Sequence, residues 1–400
     1  MKIIKGGVTA PKGFLAAAVS CGIKKSGCND LALLYSEKPC LTAGMFTTNK
    51  VRSGSVFLCE RLLKKNVAQA VIVNSGNANC CVGKKEIIDA EAITVLTAKN
   101  TGLAKNMVLI ASTGIIGKPL PVAKIKNKIG NLASCLKKKN SLKFAKSIMT
   151  TDTVPKEISV SVKINGKTIT IGGAVKGAGM ICPNMATMLA FFTTDAAIEK
   201  SALKQAFKES VSDSFNRITV DGDMSTNDSA FIFANGMAGN KAIKKDSAGY
   251  VKFLDALRFV LKQLAKKMIL DGEGATKFVN ILVRGAKTQK DADRIARHVA
   301  DSSLVKTMLA GGDPNWGRVV GSVGSSGVDV KQNKINIYFG NKLAVKNGAG
   351  TNVSRKALAP IFKKKEIDII IDVNLGKSSG NIWTCDLTKE YVEINAEYET

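Results

Sequence analysis

Short segments of apolar and β-branched residues recur along the chain, and several of them alternate with polar residues. The clearest pattern covers residues 157–173, where ISVSVKI and KTITIGG alternate around Asn165 and Gly166. Alternation with a period of two indicates a half-buried strand, and Asn-Gly between two such runs is typical of a tight β-hairpin. The pattern predicts a hairpin here and further strands at residues 70–76, 107–113, 334–340 and 366–376.

Between these segments the apolar residues recur every three or four positions, which is the period of an amphipathic helix. The pattern predicts helices at residues 85–100, 200–215, 250–270 and 290–302. Strands, hairpins and helices therefore mix, and the predicted fold class is α/β (α+β) with a mainly antiparallel sheet. Because a fresh strand, VNILVRG, begins near residue 280, we predict a main domain at 1–280 and a smaller C-terminal α/β domain at 281–400.

The chain has 400 residues, 45% of them hydrophobic and 23% charged, which is typical of a soluble globular protein. No apolar run approaches the roughly 20 residues that cross a bilayer. Near the N-terminus, FLAAAV is short and follows Gly, Pro and Lys, which is atypical of a signal peptide. We therefore expect a cytoplasmic protein that does not bind membranes.

The net charge is +27, and the excess comes mainly from scattered lysines. Nucleic-acid-binding proteins usually concentrate basic residues on one face and interleave aromatic residues, which make up only 6% of this chain. We interpret the charge as a lysine-rich solvated surface that can attract anionic metabolites, and we expect no nucleic-acid partner. A nucleic-acid-binding protein remains the alternative that charge alone leaves open.

Histidine and cysteine limit the possible chemistry. His298 is the only histidine, and it lies in a helical segment, where we expect a surface or helix-end position. The nine cysteines contain no CxxC pair, so no zinc site or other metal site is predicted. A single histidine also weakens any Ser-His-Asp scheme.

A glycine-rich stretch at residues 308–329, MLAGGDPNWGRVVGSVGSSGVD, resembles neither a P-loop nor a dinucleotide fingerprint. Two interpretations stay open for it: tight turns that pack against a neighbour, or a segment beside an active site.

The segment KGAGMICPNMATMLAFFTTD, residues 176–195, contains an unusual hydroxyl. Thr187 follows the small Ala186 and precedes the apolar run MLAFF, which predicts a buried strand. A threonine in a strand is usually structural. Here, however, the glycines permit unusual backbone angles, and Pro183 with Asn184 interrupts regular structure just before the threonine. A hydroxyl beside an accessible carbonyl is what peptide self-cleavage requires.

Nine motifs, in order along the chain, resemble the ornithine acetyltransferase (glutamate N-acetyltransferase) family of arginine biosynthesis. They are CGIKKSGCNDLALLYS, AGMFTTNKV, VNSGNAN, ASTGIIG, MTTDTVPK, KGAGMICPNMATML, DGDMSTNDS, DGEGATK and GGDPNWGR, and the C-terminal ending also matches. The resemblance implies a layered αββα sandwich of the self-cleaving N-terminal-nucleophile type. It also implies cleavage between Ala186 and Thr187, giving an α-chain of residues 1–186 and a β-chain of residues 187–400.

The same resemblance implies roles for particular residues. Thr187 would be the nucleophile, and Thr113 with Gly114 would form the oxyanion hole. The substrate-binding residues would be Thr153, Lys176, Thr187, Glu273, Asn395 and Thr400. In MTTDT, the neighbouring Thr150 and Thr151 leave the choice of the substrate-binding threonine open.

The implied reaction moves acetyl from N2-acetyl-L-ornithine to L-glutamate by a ping-pong cycle through acetyl-Thr187, with no required cofactor. Some members also accept acetyl-CoA as co-substrate, and this sequence does not decide that second activity. The implied assembly is a heterotetramer of two α-chains and two β-chains. The rival within the same fold is an N-terminal-nucleophile aminopeptidase or amidase, which would release the acyl group to water.

Overall fold

The computed structural model describes residues 1–182 and 188–397, and its strands form two separate sheets. The strands are β1 Lys2–Ile4, β2 Phe14–Val19, β3 Leu31–Phe46, β4 Val67–Asn77, β5 Val108–Ile115, β6 Lys156–Ile164, β7 Lys167–Lys176, β8 Leu189–Thr194, β9 Ser229–Ala234, β10 Phe278–Ala286, β11 Asn336–Phe339, β12 Lys342–Lys346, β13 Ala349–Gly350, β14 Glu366–Asp372 and β15 Ser378–Cys385.

Helices lie between and after these strands. They are α1 Gly54–Leu62, α2 Lys85–Thr101, α3 Val122–Ser134, α4 Ser141–Ser147, α5 Lys200–Ser212, α6 Ala248–Leu270, α7 Gln289–Asp301, α8 Ser303–Ala310, α9 Trp316–Gly324, α10 Arg355–Phe362 and α11 Lys389–Glu397. In the part of the chain that the structure describes, no helix combines the length and apolar character needed to cross a bilayer.

The first sheet has the order β1-β6-β7-β8-β9-β3-β4-β5, with β2 paired to β3. The long strand β3 explains how the sheet forms two layers. Its first half pairs with β2 and its second half with β9, and the β3–β4 register is broken between Tyr35 and Cys40. One continuous strand therefore belongs to both layers.

Alternating side chains of β8 divide the core between these layers. Phe191 points into a cluster with Phe231 and Phe144, whose ring centroids lie 6.0 Å and 5.2 Å away. Phe192 points the opposite way and packs edge-to-face against Phe207 of α5. Because successive strand residues face opposite sides, one apolar run fills both cores.

Helices cover the outer faces of both layers. α6 packs against β6 and β7, with α5 beside it, while α1 and α2 pack against β5 and α3 against β2 and β3. The predicted layered αββα sandwich is confirmed.

The second sheet has the order β13-β12-β11-β14-β10-β15, and α7 packs on β10 and β15. Its apolar core runs from Val279 to Ile382. The predicted domain division at residue 280 falls inside β10, the strand that opens this sheet.

The strands and helices that the sequence patterns predict are present in the structure. The predicted hairpin is β6 and β7, with Asn165 and Gly166 in the left-handed region at φ 49° and φ 78°. The predicted strands correspond to β4, β5, β11 and β14, and the four predicted helices to α2, α5, α6 and α7. His298 is exposed in the last turn of α7, as expected.

Leu264 of α6 tests the packing of this helix on the first sheet, because its side chain is fully buried. We expect Leu264→Ala to lower the free energy of unfolding by about 2–5 kcal/mol, since the lost side chain leaves a cavity. Chemical denaturation measures the change. Val251→Ala is the matched control on the same helix, because Val251 is 54% exposed and should change stability by less than about 0.5 kcal/mol. Equal effects of the two substitutions would contradict the assigned packing.

Candidate active site

The glycine-rich turn after β7 takes backbone angles that ordinary residues avoid. Gly177 has φ +150°, and Met180, which has a side chain, lies in the left-handed region at φ 53°. Such a conformation costs a non-glycine residue about 1–2 kcal/mol. The carboxylate of Asp221 offsets this cost by accepting hydrogen bonds from the backbone N–H groups of Met180 (2.6 Å) and Ile181 (2.8 Å). Asp221, an acid of the DGDMSTNDS motif, thus stabilises the turn through these two hydrogen bonds.

Two parallel strands begin beside this turn. Leu189 of β8 pairs with Ser229 of β9, and the Ser229 backbone N–H donates to the carbonyl of Met188 at 2.9 Å. Met188 and Asp228 therefore precede the paired strands side by side. The predicted cleavage junction, Ala186 and Thr187, lies outside the described residues.

A cavity of about 250 Å³ opens between this pair of strands, the ends of β5 and β7, and α11. Sequence motifs far apart along the chain meet on its wall. The lining residues include Ala78, Thr113, Gly114, Thr150, Thr151, Lys176, Gly177, Gly179, Met188, Leu189, Asp221, Asp223, Ser225, Thr226, Asn227, Asp228, Glu273, Tyr391 and Asn395.

Thr113 and Gly114 close one side of the cavity at the end of β5. Lys176 donates from Nζ to the Thr113 hydroxyl oxygen at 3.1 Å, so the hydroxyl proton can be donated to another acceptor. Gly114 has φ +129°, and a Cβ at this position would collide with the backbone of Gly76. Glycine is therefore required here both by the backbone angle and by the close neighbouring strand.

Glu273 and Asn395 meet on the cavity wall. Asn395 of α11 donates from Nδ2 to the Glu273 carboxylate at 2.8 Å, and the Glu273 backbone N–H donates to Ala178 at 3.0 Å. A Cβ at Gly179 would collide with the same carboxylate. The glycine-rich turn thus leaves room for an acid that α11 orients.

Beneath the cavity lies a buried ion network centred on Lys156, whose side chain is fully enclosed. Its ammonium group contacts Asp152 at 2.6 Å and also pairs with Asp271 at the end of α6. Asp152 accepts a further hydrogen bond from the Gly177 backbone N–H at 2.6 Å. Asp271 accepts from the backbone N–H and the hydroxyl of Thr153. The network fixes the start of the turn that directly follows Lys176, the last residue of β7.

Burial and opposing charges set the titration of the cavity groups. Burial lowers the pKa of Lys176, and the nearby Asp152 and Asp228 only partly counteract this. Burial would raise the pKa of Asp152, but Lys156 and Lys176 bring it below its usual value. Burial raises the pKa of Asp228 well above the usual value. The protonation states of these groups therefore depend on small changes in burial and in neighbouring charge.

The structure gathers most of the residues that sequence resemblance selected. Thr113, Gly114, Lys176, Glu273 and Asn395 all line the cavity. Thr187 and Thr400 lie outside the described residues.

Thr153 is positioned differently. Its hydroxyl donates to Asp271, and it is not among the lining residues, whereas Thr150 and Thr151 are. Of the three threonines in MTTDT, Thr150 and Thr151 are therefore better placed than Thr153 to contact a substrate in the cavity.

Several lining residues received no role from sequence reasoning. Asp221, Asp228 and Tyr391 are the chief examples, and the Tyr391 hydroxyl lies 3.4 Å from the Asp221 carboxylate. The available signal was the DGDMSTNDS motif, which places acids immediately before a buried strand. The glycine-rich stretch at 308–329 contributes no lining residue to this cavity and contains the end of α8, a turn and α9.

Comparisons with known proteins identify the family of this chain. The model of the ArgJ family matches residues 15–400. The chain belongs to the ArgJ family.

Full-length relatives carry names of this family's activity and pathway. A Dehalococcoides mccartyi protein named "Arginine biosynthesis bifunctional protein ArgJ" is 46% identical, over 99% of this chain and 98% of that one. A Methanocaldococcus jannaschii protein named "Glutamate N-acetyltransferase" is 44% identical, over the full length of both chains. The expected acetyltransferase family is confirmed.

A solved structure of the ArgJ protein from Bacillus halodurans is similar in fold. It is 39% identical with a TM-score of 0.51, and the match covers 53% of this chain and 100% of that one.

The buried ion network of this ArgJ-family chain can be tested by removing its cation. We expect Lys156→Met to lower the free energy of unfolding by about 3–5 kcal/mol, because two buried carboxylates lose their partner. Thermal and chemical denaturation measure the loss. Lys266→Met is the matched control, since Lys266 pairs with Glu366 at 2.9 Å on the surface and should cost at most about 1 kcal/mol. A Lys156→Met protein as stable as the control would show that the network does not hold the fold.

Proposed function

We propose that the chain transfers acetyl from N2-acetyl-L-ornithine to L-glutamate, giving L-ornithine and N-acetyl-L-glutamate in arginine biosynthesis. The observation that supports this most strongly is the convergence of Thr113, Gly114, Lys176, Glu273 and Asn395 on one cavity beside Met188. Met188 is bonded directly to Thr187, the proposed nucleophile. The names of the full-length relatives agree with this activity.

The nucleophile is generated by self-cleavage of the precursor. The Thr187 hydroxyl oxygen attacks the Ala186 carbonyl carbon, and the hydroxyl proton passes to the departing backbone nitrogen. Water then hydrolyses the resulting ester and leaves a carboxylate on Ala186 and a free hydroxyl on Thr187. Each of the two product chains contains part of the proposed site. Residues 1–186 contain Thr113 and Lys176, and residues 187–400 contain Glu273 and Asn395.

Cleavage supplies the base that the lone, exposed His298 cannot supply. A free α-amino group ordinarily titrates near about pH 7.7–8.0, so a neutral fraction exists close to neutral pH. This amine takes the proton from the Thr187 hydroxyl as the oxygen bonds to the acetyl carbon of the donor. The resulting ammonium gives its proton to the departing nitrogen, and ornithine leaves. Glutamate reverses the sequence on the acetyl-enzyme.

The tetrahedral intermediate of each half-reaction carries an oxyanion. The Thr113 hydroxyl proton, left available because its oxygen accepts from Lys176, and the backbone N–H of Gly114 are the proposed donors. A donor of this kind contributes about 3 kcal/mol to transition-state stabilisation.

Charge explains how an amino-acid substrate can be oriented. Lys176 provides a buried cation for the α-carboxylate, and Glu273 provides an anion for the amine at the other end of ornithine. Because Asn395 already orients Glu273, the proposed substrate contacts lie on both future chains. Thr150 or Thr151 and the terminal Thr400 complete the proposed substrate contacts. We propose no direct substrate contact for Thr153, whose hydroxyl donates to Asp271.

The proposed assembly is a cytoplasmic heterotetramer of two α-chains and two β-chains. The proposed reaction requires no cofactor. Acetyl-CoA as a second acetyl donor is an additional proposed activity, and an assay of CoA release with glutamate tests it.

The remaining alternative function is that of an aminopeptidase or amidase. The Glu273 carboxylate, oriented by the Asn395 amide, provides an anion for an amino-acid substrate and favours transfer over release to water.

The nucleophile is tested by Thr187→Ala. We expect one uncut chain on a denaturing gel and no acetyl transfer, because both steps need the hydroxyl oxygen. Mass spectrometry of the wild-type protein should show two chains, the second beginning at Thr187. Thr187→Ser, which keeps a hydroxyl, is the matched control and should still be cut. Two fragments from Thr187→Ala would overturn the mechanism.

The reaction is tested by following both possible fates of the acetyl group. Wild-type protein with N-acetylornithine should form N-acetylglutamate when glutamate is present, and only slow free acetate when it is absent. Acetate released at the same rate with and without glutamate would assign the chain to the hydrolase alternative.

The C-terminus provides a separate test of the site. Helix α11 brings Tyr391 and Asn395 to the cavity, and Thr400 is only five residues beyond Asn395. We expect a peptide tag after Thr400 to raise the KM for N-acetylornithine by about tenfold or more, because a lost contact of 1.4 kcal/mol is worth that factor. A tag before Met1, next to edge strand β1, is the control. Equal kinetics of the two tagged proteins would argue against a C-terminal contact.

A further inference from the structure

Cys80 and Cys81 place two thiols side by side in the loop between β4 and α2, and the proposed reaction uses neither of them. Their Sγ atoms lie 3.7 Å apart. Both cysteines are free of disulfide bonds, and Cys81 is exposed, while Cys80 is buried with only 1% of the residue exposed. The pair therefore offers two sulfur atoms to one small ligand, which can approach from the side of Cys81.

The backbone of this pair is held in an uncommon conformation. Cys81 lies in the left-handed region at φ 60°, which residues with a Cβ seldom adopt. The Gly117 backbone N–H donates to the Cys80 carbonyl at 3.0 Å. The Val82 backbone N–H donates to the Glu86 carboxylate at 2.8 Å. Because such conformations concentrate at functional sites when the surroundings hold them, the pair is a candidate site.

The distance between the two sulfurs limits the kinds of thiophilic atom that fit. With bonds of about 2.3 Å, the length that sulfur makes to zinc, sulfurs 3.7 Å apart subtend an angle of roughly 110° at the bound atom. An atom that requires linear coordination would need sulfurs about 4.6 Å apart at the same bond length. The pair therefore fits an atom with bent coordination, either tetrahedral or pyramidal.

The number of available ligands narrows the choice further. Zinc sites in proteins use three or four protein ligands. Within residues 1–182 and 188–397, no group of three or more His, Cys, Asp or Glu side chains is arranged to hold a metal ion. A trivalent organoarsenical, R–As=O, needs only two thiols, because its arsenic keeps the carbon substituent and forms two bonds to sulfur. Two neighbouring thiols therefore complete its coordination.

The protons of the thiols favour the same ligand. Burial raises the pKa of the Cys80 thiol to about 11, and the neighbouring Cys81 and Glu86 contribute to the increase. A metal cation must displace thiol protons into solution, and a raised pKa opposes this displacement. The arsenical instead takes both protons onto its own oxygen, so binding releases no protons into solution.

A direct disulfide between the two cysteines fits less well. Consecutive Cα atoms lie about 3.8 Å apart, whereas disulfides usually join Cα atoms about 4.4–6.8 Å apart. A bridging atom between the sulfurs relieves this restriction, because it lengthens the ring that the two side chains must close. The geometry thus favours a bridged pair of sulfurs over a bonded pair.

We propose that Cys80 and Cys81 form a binding site for trivalent arsenicals. The first As–S bond forms at the exposed Cys81, and the arsenic then reaches the second sulfur, 3.7 Å from the first. Two As–S bonds form, while the two S–H bonds and the As=O bond break. The oxygen leaves with both protons as one water molecule, and nothing is oxidised or reduced. Binding at this site does not depend on the proposed function.

The pair also contacts the wall of the cavity. The Cys80 thiol faces Thr226, which lines the cavity. The Cys80 carbonyl accepts from Gly117, the residue after the lining Ile116. Closing a ring through arsenic moves the Cys80 thiol and strains both contacts. We therefore expect the bound arsenical to lower acetyl transfer, and this expectation alone rests on the proposed function.

The test uses the reduced full-length protein and phenylarsine oxide, with the adduct followed by mass spectrometry under native conditions. We expect one tightly bound phenylarsenic group per chain, lighter by one water than the adduct of a single thiol, because both sulfurs bond to arsenic. Dithiothreitol should remove the group, and a monothiol at the same thiol concentration should not. A tightest adduct that keeps the arsenic hydroxyl would disprove the two-sulfur site.

Cys80→Ala and Cys81→Ser each remove one of the two sulfurs. We expect either substitution to weaken binding about a hundredfold or more, since a second thiol on the same loop acts at a high effective concentration. Cys28→Ser is the matched control, because Cys28 is also an exposed free cysteine, and this variant should bind like wild-type protein. Equal binding by Cys81→Ser and Cys28→Ser would overturn the proposal, and this comparison holds even if Cys80→Ala does not fold.

Activity measurements separate this inference from the proposed function. Wild-type protein carrying the arsenical should lose most of its acetyl transfer and regain it with dithiothreitol, while Cys81→Ser protein treated in the same way should keep it. A bound arsenical that leaves activity unchanged would refute the coupling to the cavity. Untreated wild-type protein without acetyl transfer would contradict the proposed function, and the mass measurement would still decide the arsenical site.

Discussion

The site depends on one buried cation, Lys156, placed between the carboxylates of Asp152 and Asp271. Removing three charges from water is expensive, and the mutual attraction compensates only when the groups touch and their other lone pairs are occupied. Both conditions hold, because backbone N–H groups of Gly177 and Thr153 donate to the two acids. The network thereby joins the turn before β6, the end of α6 and the end of β7. These are the segments that carry Lys176 and Glu273 to the cavity.

In the cavity above this ion network, charge is unevenly distributed. Lys176 is a buried cation whose pKa burial lowers, and it faces acids from several elements. In such a medium each neighbour changes protonation more than it would in water. Under the proposed mechanism, the amine that cleavage would release is the base, and no histidine is needed. That mechanism would account for acyl transfer by a chain whose only histidine is exposed on α7.

Sequence reasoning succeeded where the relevant physics is local. The hairpin at Asn165 and Gly166 depends on two residues that tolerate positive φ, and it appears where it was predicted. The amphipathic helix α6 follows from its own apolar period. The 16-residue strand β3 was missed, because its shared membership of two layers depends on partners far along the chain. Site residues that are adjacent to distinctive glycines, such as Lys176 and Glu273, could be selected from motifs.

The sequence by itself determined the β6–β7 hairpin, the amphipathic helices, the family and the set of motifs that could meet. Only the tertiary structure decided which side chains of those motifs face the cavity. In MTTDT, the buried Asp271 takes the hydroxyl of Thr153 and leaves Thr150 and Thr151 on the wall. Asp228 gained its position from the pairing of β8 with β9, a contact between strands that are about 40 residues apart. The physical reason is the same in both cases: a side chain's partner is set by long-range packing, which a local pattern does not contain.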